Sequence, residues 1–119
     1  MADLGVFSRI WRAGGYARAG WIWAYCNERA FRQEIWATFV IVPISFWVPT
    51  SGVGHGILIA SWIQVLVVEL LNSAIEKTID RFSEEHHELA GRAKDMASGA
   101  VLLSFMLCGS VWACVLWAH

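Results

Sequence analysis

The sequence predicts an all-α integral membrane protein, in which one N-terminal amphipathic surface helix precedes three transmembrane helices. Of its 119 residues, 57% are apolar and only 16% are charged, whereas soluble domains have about 45–50% and 25%. Eight residues are tryptophans, a residue type that is enriched at membrane interfaces. The length allows a single domain, residues 1–119, and a net charge of −1 gives no indication of a nucleic-acid partner.

The surface helix is expected over residues 4–25. This segment mixes aromatic residues with Arg9, Arg12 and Arg18, so it is too charged to span a bilayer and too aromatic for a free tail. Gly14 and Gly15 are predicted to bend it, because adjacent glycines weaken a helix. No signal peptide is apparent in the first 26 residues, so we expect the later helices to direct insertion.

The first transmembrane helix is expected over residues 28–48. The apolar run that ends at Val48 is shorter than the roughly 20 residues that cross a membrane, so the helix is predicted to begin near Glu28. This start places charged residues at the membrane edge. Pro43 is predicted to kink the helix unless neighbouring helices satisfy the carbonyl that it frees.

The second and third transmembrane helices are expected over residues 57–82 and 91–118. Residues 49–56 are rich in glycine and contain a proline, which indicates a turn before the second helix. Residues 83–90 form a polar connection to the third. Ala93, Ala97 and Ala100 are small residues at helical spacing, and they favour close helix packing.

The basic residues all lie on one side of this layout. The nine Lys and Arg residues occur before the first apolar run or around the connection between the second and third transmembrane helices. The positive-inside rule makes that side cytoplasmic, with the C-terminus outside. The N-terminus and the polar ends of the helices therefore face the compartment that contains ATP.

A polar stripe interrupts the second transmembrane helix. Glu69, Asn72, Glu76 and Asp80 lie within roughly 80° of one another on a helix of 100° per residue. A charged residue at the bilayer centre costs roughly 2.5–3.5 kcal/mol on insertion scales, so such residues usually have a function. We interpret this stripe as the active site.

The residue types of the stripe suit phosphoryl transfer. Carboxylates bind Mg²⁺ together with substrate phosphates, and a carboxylate deep in the membrane can accept a proton from a lipid hydroxyl. Glu69 and Glu76 are about 10 Å apart along the helix, which separates a base from a metal–triphosphate. No P-loop sequence is present, so any nucleotide site is of another kind. A membrane phosphotransferase and an ion or drug transporter both remain open from these residues alone.

Three motifs, NERAFRQE (27–34), ELLNSAIEKTIDR (69–81) and HELAGRAKD (87–95), carry a family resemblance. With their spacing and the helix layout, the chain resembles the bacterial membrane-integral diacylglycerol kinases over essentially its whole length. The resemblance implies a homotrimer in the bacterial inner membrane, with a periplasmic C-terminus and active sites shared between subunits. It implies transfer of the γ-phosphate of MgATP to diacylglycerol, which gives phosphatidic acid.

The resemblance also assigns roles to individual residues. Glu69 would be the general base, and Asn72 would orient it. Glu28 and Glu76 would hold Mg²⁺. The nucleotide would be contacted by Arg9, Tyr16, Glu28, Glu76, Glu85, His86, His87, Lys94 and Asp95. The lipid would be contacted by Ala30, Phe31, Arg32, Gln33, Glu34, Trp47, Glu69, Ser98, Trp112 and Trp117. The chain departs from the family pattern at Ala17, His55 and His86, where we expect Ser, Arg and Tyr.

Two other functions are alternatives. An undecaprenol kinase would share this scaffold and these motifs, although the form of the first motif favours diacylglycerol. A small proton-coupled transporter would use one buried glutamate, but it leaves Glu28, Lys94 and Asp95 without a role. For Asn72, a structural role in helix–helix packing is the simpler alternative. For Glu34 and Arg32, an interfacial ion pair is the alternative.

Overall fold

The chain forms a bundle of long helices. The computed structural model describes residues 2–82 and 88–118, and every regular element in them is an α-helix. The helices are α1 (Ala2–Asn27), α2 (Arg29–Trp47), α3 (Gly52–Phe82) and α4 (Glu88–Trp117). The predicted all-α class is confirmed. The predicted nucleotide contacts Glu85, His86 and His87 lie outside the described residues.

Two of the described helices, α3 and α4, are long and apolar enough to cross a membrane. The most apolar 18-residue windows of these two helices have mean hydropathies of 1.8 and 2.1. Helix α2 is shorter, at 19 residues, and has Arg29, Arg32 and Glu34 in its first half. By length and composition it does not qualify with α3 and α4. The crossing of the membrane by α2 therefore stays a prediction.

The surface of the described chain is unusually apolar. Large side chains on α1, α2 and α4 are exposed, including Trp11, Phe39 and Leu103. Monomeric soluble proteins rarely expose contiguous apolar patches larger than a few hundred Å². This surface suits contact with lipid or with other copies of the chain.

Helices α3 and α4 begin three or more residues before their predicted starts. Helix α3 begins at Gly52 rather than near residue 57, because the Ser51 hydroxyl accepts a hydrogen bond from the backbone N–H of Gly54 at 3.1 Å. Helix α4 begins at Glu88 rather than 91. The Arg92 guanidinium lies 3.1 Å from the Glu88 carboxylate, an ion pair at i, i+4 spacing that favours the first turn. Residues 52–56 and 88–90, which the sequence predicts to be connections, are thus helical.

Helix α1 is continuous through Gly14 and Gly15, and the predicted bend at these glycines stays a prediction. Propagating a helix across a weak helix former costs little once its turns exist. The break comes instead at Glu28, whose backbone is extended, with φ −113° and ψ 109°. Pro43 lies inside α2, which continues to Trp47.

Helix α3 is the centre of the bundle, packing against both α2 and α4, while α1 packs mainly on α2. Leu58 and Val65 of α3 are fully buried. Across the α3–α4 interface, the side-chain amide of Gln64 donates a hydrogen bond to the carbonyl oxygen of Ser104 at 2.7 Å. Antiparallel neighbours on both sides thereby enclose one face of α3.

Candidate active site

The Glu69 carboxyl group lies on the enclosed face of α3. Its neighbours at four-residue spacing, Val65 and Ser73, are also buried, and Glu69 itself is only 7% exposed. Residues four apart share a face of a helix, so Glu69 lies on the same buried face of α3 as Val65 and Ser73. The sequence placed Glu69 deep in the apolar segment, and its burial agrees with that placement.

A second carboxyl group, that of Glu34 on α2, lies at nearly the same depth. The Trp62 indole N–H donates to the Thr38 hydroxyl at 2.8 Å, and His55 Nδ1 donates to the carbonyl oxygen of Ser45 at 2.8 Å. Both contacts join α2 to α3, and both fit a single antiparallel alignment of these two helices. Extended by one turn, that register places Glu34 opposite residue 66, about 4.5 Å along the axis from Glu69.

Glu34 is as enclosed as Glu69. It is 8% exposed, and its Oε2 atom has no hydrogen-bond partner among the described residues. A buried polar atom without a partner costs free energy, so a ligand that donates a hydrogen bond there gains affinity. The Glu34–Glu69 pair is therefore a polar site within an apolar interface.

Toward the polar end of α3, Asn72 contacts Glu76. The Asn72 amide nitrogen lies 3.4 Å from Glu76 Oε1, at the long limit of a hydrogen bond. The Asn72 Oδ1 atom is buried without a hydrogen-bond partner in the described chain. The amide group thus points toward the predicted metal ligand, whereas sequence reasoning assigned it to orienting Glu69.

Glu28 forms the joint between α1 and α2, and its carboxylate faces α3. The Lys77 ammonium lies 3.3 Å from Glu28 Oε1, although that oxygen receives no hydrogen bond of good geometry. Sequence reasoning gave Lys77 no role beyond its charge. In the sequence, only the position of Lys77 immediately after Glu76 indicated a role at the site. Its pairing with Glu28 depends on the position of the break between α1 and α2.

Asp80 and Lys94 connect the polar ends of α3 and α4. The Lys94 ammonium donates a hydrogen bond to Asp80 Oδ1 at 2.7 Å, and both side chains are about half exposed. Asp95, the other predicted nucleotide contact here, is exposed. The acidic stripe thus ends at a half-exposed lysine that is bonded to its last carboxylate.

The donor atoms of this region suit Mg²⁺. In residues 2–82 and 88–118, no group of three or more His, Cys, Asp or Glu side chains is gathered closely enough to hold a metal alone. Glu28 and Glu76 offer carboxylate oxygens, and Asn72 Oδ1, which is buried without a hydrogen-bond partner in the described chain, adds an amide oxygen. Mg²⁺ usually takes one or two carboxylates together with substrate phosphates and water, so an incomplete protein shell fits this ion.

Comparisons with known proteins decide the family. The family model of prokaryotic diacylglycerol kinase matches residues 15–116. The chain belongs to this family. It is 45% identical over 113 residues to the diacylglycerol kinase of Escherichia coli (strain K12), covering 95% of this chain and 93% of the relative. It is 42% identical over 108 residues to that of Pseudomonas aeruginosa, covering 91% and 88%.

Family membership makes the chain an enzyme, a lipid kinase of the diacylglycerol kinase class. The predicted family and enzyme class are confirmed, and the transporter interpretation is set aside. The relatives in Escherichia coli, Pseudomonas aeruginosa and Haemophilus influenzae are all named diacylglycerol kinase.

The predicted lipid contacts of the kinase lie at two depths. The segment Ala30–Glu34 lies near Glu69, with Phe31 and Glu34 buried and the other three residues more exposed. The Gln64–Ser104 register places Ser98 opposite Leu70, with its side chain exposed. These residues are at the level of Glu69.

The other three predicted lipid contacts lie near the opposite end of the bundle. Trp47 and Trp117 are 86% and 90% exposed, and Trp112 is partly buried with an indole N–H that lacks a partner in the described chain. The α3–α4 register puts Trp112 roughly 20 Å along the axis from Glu69. Side chains that far away are able to contact acyl chains but not the acceptor hydroxyl.

Arg9 and Tyr16, two predicted nucleotide contacts, are exposed on α1. Neither forms an ion pair or a side-chain hydrogen bond within the described chain. Arg9 precedes Glu28 by 19 residues of continuous helix, which corresponds to roughly 28 Å. The fold does not bring Arg9 to the Glu28 and Glu76 carboxylates of its own chain.

Proposed function

We propose that this kinase transfers the γ-phosphate of MgATP to the free hydroxyl of diacylglycerol to give phosphatidic acid, with Glu69 as general base. The observation that carries the proposal is the burial of Glu69 in an apolar interface, with Asn72 and Glu76 following toward the polar end of the same helix. One helix thereby offers a base to a lipid and carboxylate oxygens to a nucleotide.

In the proposed step, Glu69 removes the proton from the lipid hydroxyl. The hydroxyl oxygen bonds to the γ-phosphorus, the bond to the β–γ bridging oxygen breaks, and ADP leaves. Glu69 then gives its proton to solvent. Glu34, buried at a similar depth, accepts a hydrogen bond from the lipid and so holds the acceptor beside the base. Orientation of this kind lowers the entropic part of the barrier.

Glu28 and Glu76 would hold Mg²⁺, with the Asn72 amide oxygen close by. When bound, the ion neutralises charge on the β- and γ-phosphates. Lys94 and Asp95 would contact the nucleotide from α4, together with Glu85, His86 and His87. Lys94 lies at the polar end of α3 through its contact with Asp80, where a hydrophilic nucleotide has access.

We assign the enzyme to the bacterial inner membrane, with α2, α3 and α4 as its three spans. The basic residues of α1 and the start of α2 would lie on the cytoplasmic side with Lys77 and Lys94, and the C-terminus would be periplasmic. The site then faces cytoplasmic ATP. The apolar exposed faces of α2 and α4 support contact with lipids and other subunits.

The active unit would be a homotrimer whose sites are shared between subunits. The distance of Arg9 from Glu28 along α1 supports this, because Arg9 is able to meet a nucleotide only at another subunit's carboxylates. A surface helix that reaches across to a neighbour is a heterologous contact, and such contacts form a ring when the rotation between subunits closes.

A label-transfer assay tests the reaction. The purified protein in mixed micelles receives ATP labelled at the γ-phosphate, Mg²⁺, and either diacylglycerol or undecaprenol. We expect label in phosphatidic acid, and none when Mg²⁺ is chelated. Absence of transfer to either lipid would contradict the proposal. A preference for undecaprenol would mean that undecaprenol is the acceptor lipid, and the proposed roles of the residues would stay the same.

Subunit sharing has its own test. Arg9→Ala and Glu69→Gln chains, each expected to be inactive alone, are mixed while dissociated and then reassembled. If each site takes α1 and Glu69 from different chains, about a quarter of the sites regain both residues in a random equal mixture. If both residues belong to one chain, no site is restored and the mixture stays inactive.

A further inference from the structure

Lys77 forms an ion pair with Glu28, the carboxylate assigned to the metal under the proposed function. Its ammonium lies 3.3 Å from Glu28 Oε1, and the two side chains are 53% and 17% exposed. An ion pair this exposed contributes little to stability. Stabilisation of the fold therefore does not account for the pair, and its effect on the Glu28 carboxylate is the more important one.

The lysine is held in place by a second contact. Its ammonium lies 5.8 Å from the centre of the Trp23 ring on α1, within the range of a cation–π interaction. Below it, an apolar groove of about 600 Å³ runs between α1 and α3. The apolar stem of Lys77 lines this groove while its charged end stays at the Glu28 joint.

A divalent cation at Glu28 would compete with this ammonium. Lys77 approaches an oxygen of the same carboxylate that would hold the metal, and two cations at one carboxylate repel each other strongly. The Trp23 ring allows Lys77 to release Glu28 without leaving the site, because the ring contact does not use the carboxylate.

We propose that Lys77 is a positioning residue that occupies Glu28 as a resident counter-ion and yields it to the divalent metal of the nucleotide. The proposal rests on the assignment of Glu28 as a metal ligand under the proposed function. Lys77 thereby keeps Glu28 facing α3 before the substrate arrives, and it lowers the affinity of the site for free metal. The site then favours metal that comes with phosphates, whose negative charge the released ammonium can meet.

Binding of Mn²⁺ without nucleotide tests this inference independently of turnover. The bound fraction is measured by electron paramagnetic resonance for the intact protein in micelles, for Lys77→Met and for Lys77→Arg. We expect Lys77→Met to bind Mn²⁺ about three- to tenfold more tightly, because a repelling charge is removed at a partly screened position. Lys77→Arg should retain the affinity of the unaltered chain.

Arg92→Met is the matched control, because it removes one positive charge from the ion pair with Glu88 on α4. It should leave Mn²⁺ affinity unchanged. The melting temperature of each variant in the same micelles identifies loss of fold. A purely structural role for Lys77 predicts equal or weaker Mn²⁺ binding in a folded Lys77→Met protein, and that result overturns the proposal.

Glu28→Gln separates this inference from the metal assignment. If Glu28→Gln loses Mn²⁺ binding while Lys77→Met leaves it unchanged, the metal ligand stands and the counter-ion role is wrong. If Glu28→Gln binds Mn²⁺ as well as the unaltered chain, the metal assignment fails, and the role of Lys77 fails with it.

Discussion

Trp62 of α3 donates a hydrogen bond from its indole nitrogen to the Thr38 hydroxyl of α2 at 2.8 Å, and that hydroxyl donates in turn to the carbonyl oxygen of Glu34 at 2.8 Å. One threonine thus links the buried indole to the turn of α2 that carries Glu34. This chain of two hydrogen bonds sets the register that brings Glu34 and Glu69 to the same depth.

We expect Thr38→Val to destabilise the protein by about 1 kcal/mol, because the Trp62 N–H loses its partner in a buried interface. Unfolding in mixed micelles with increasing sodium dodecyl sulfate measures the change. Thr78→Val is the control, since Thr78 bonds only to the carbonyl of Ala74 on its own exposed helix face. Equal effects of the two substitutions would show that the Trp62 contact adds nothing.

Glu69→Gln should reduce kcat by at least about 10³-fold, because an amide cannot accept the proton of the lipid hydroxyl. Nucleotide binding and the oligomeric state should stay close to those of the unaltered chain. Initial rates and nucleotide titration measure the two effects. Glu88→Gln, an exposed carboxylate on α4, should keep nearly full turnover. Near-normal turnover of Glu69→Gln would refute the base assignment.

Asn72→Leu should raise the Mg²⁺ concentration needed for half-maximal activity by several fold, because the amide of Asn72 contacts Glu76 rather than Glu69. Rates measured across a range of Mg²⁺ at saturating lipid show the change. A role in orienting Glu69 predicts a different result, in which kcat falls at every Mg²⁺ concentration and the Mg²⁺ dependence keeps its midpoint.

Asp80→Asn should lower the KM for ATP by roughly two- to threefold. The Lys94 ammonium now bonds to Asp80 at 2.7 Å, and the substitution frees its charge for the phosphates. Steady-state kinetics at saturating diacylglycerol measure this KM, with Glu88→Gln again as the control. A higher KM would mean that Asp80 holds Lys94 in the position that ATP requires.

Much of the fold follows from local patterns in the sequence. Helices form wherever a membrane segment must satisfy its own backbone hydrogen bonds, so apolar runs predict α3 and α4 well. The starts of these helices were less predictable. Ser51 caps α3, and Glu88 pairs with Arg92 in the first turn of α4. Each of these side-chain contacts lets its helix begin within residues that the sequence predicts to be a connection.

The acidic stripe was also predictable, because Glu69, Asn72 and Glu76 share one helix and their spacing determines their common face. Burial of Glu69 follows from its apolar neighbours along the chain. The direction of the Asn72 amide did not follow, since both Glu69 and Glu76 are within one turn of it. Side-chain rotamers on α3 decide between them.

The sequence by itself determined the helical class, the position of the carboxylates along α3 and the kinase family. Only the tertiary structure decided which residues meet across helices, namely Thr38 with Trp62, Glu28 with Lys77, and Asp80 with Lys94. The physical reason is that helical periodicity defines a face within one helix. The rotation and shift of one helix against the next depend on packing between residues distant in sequence.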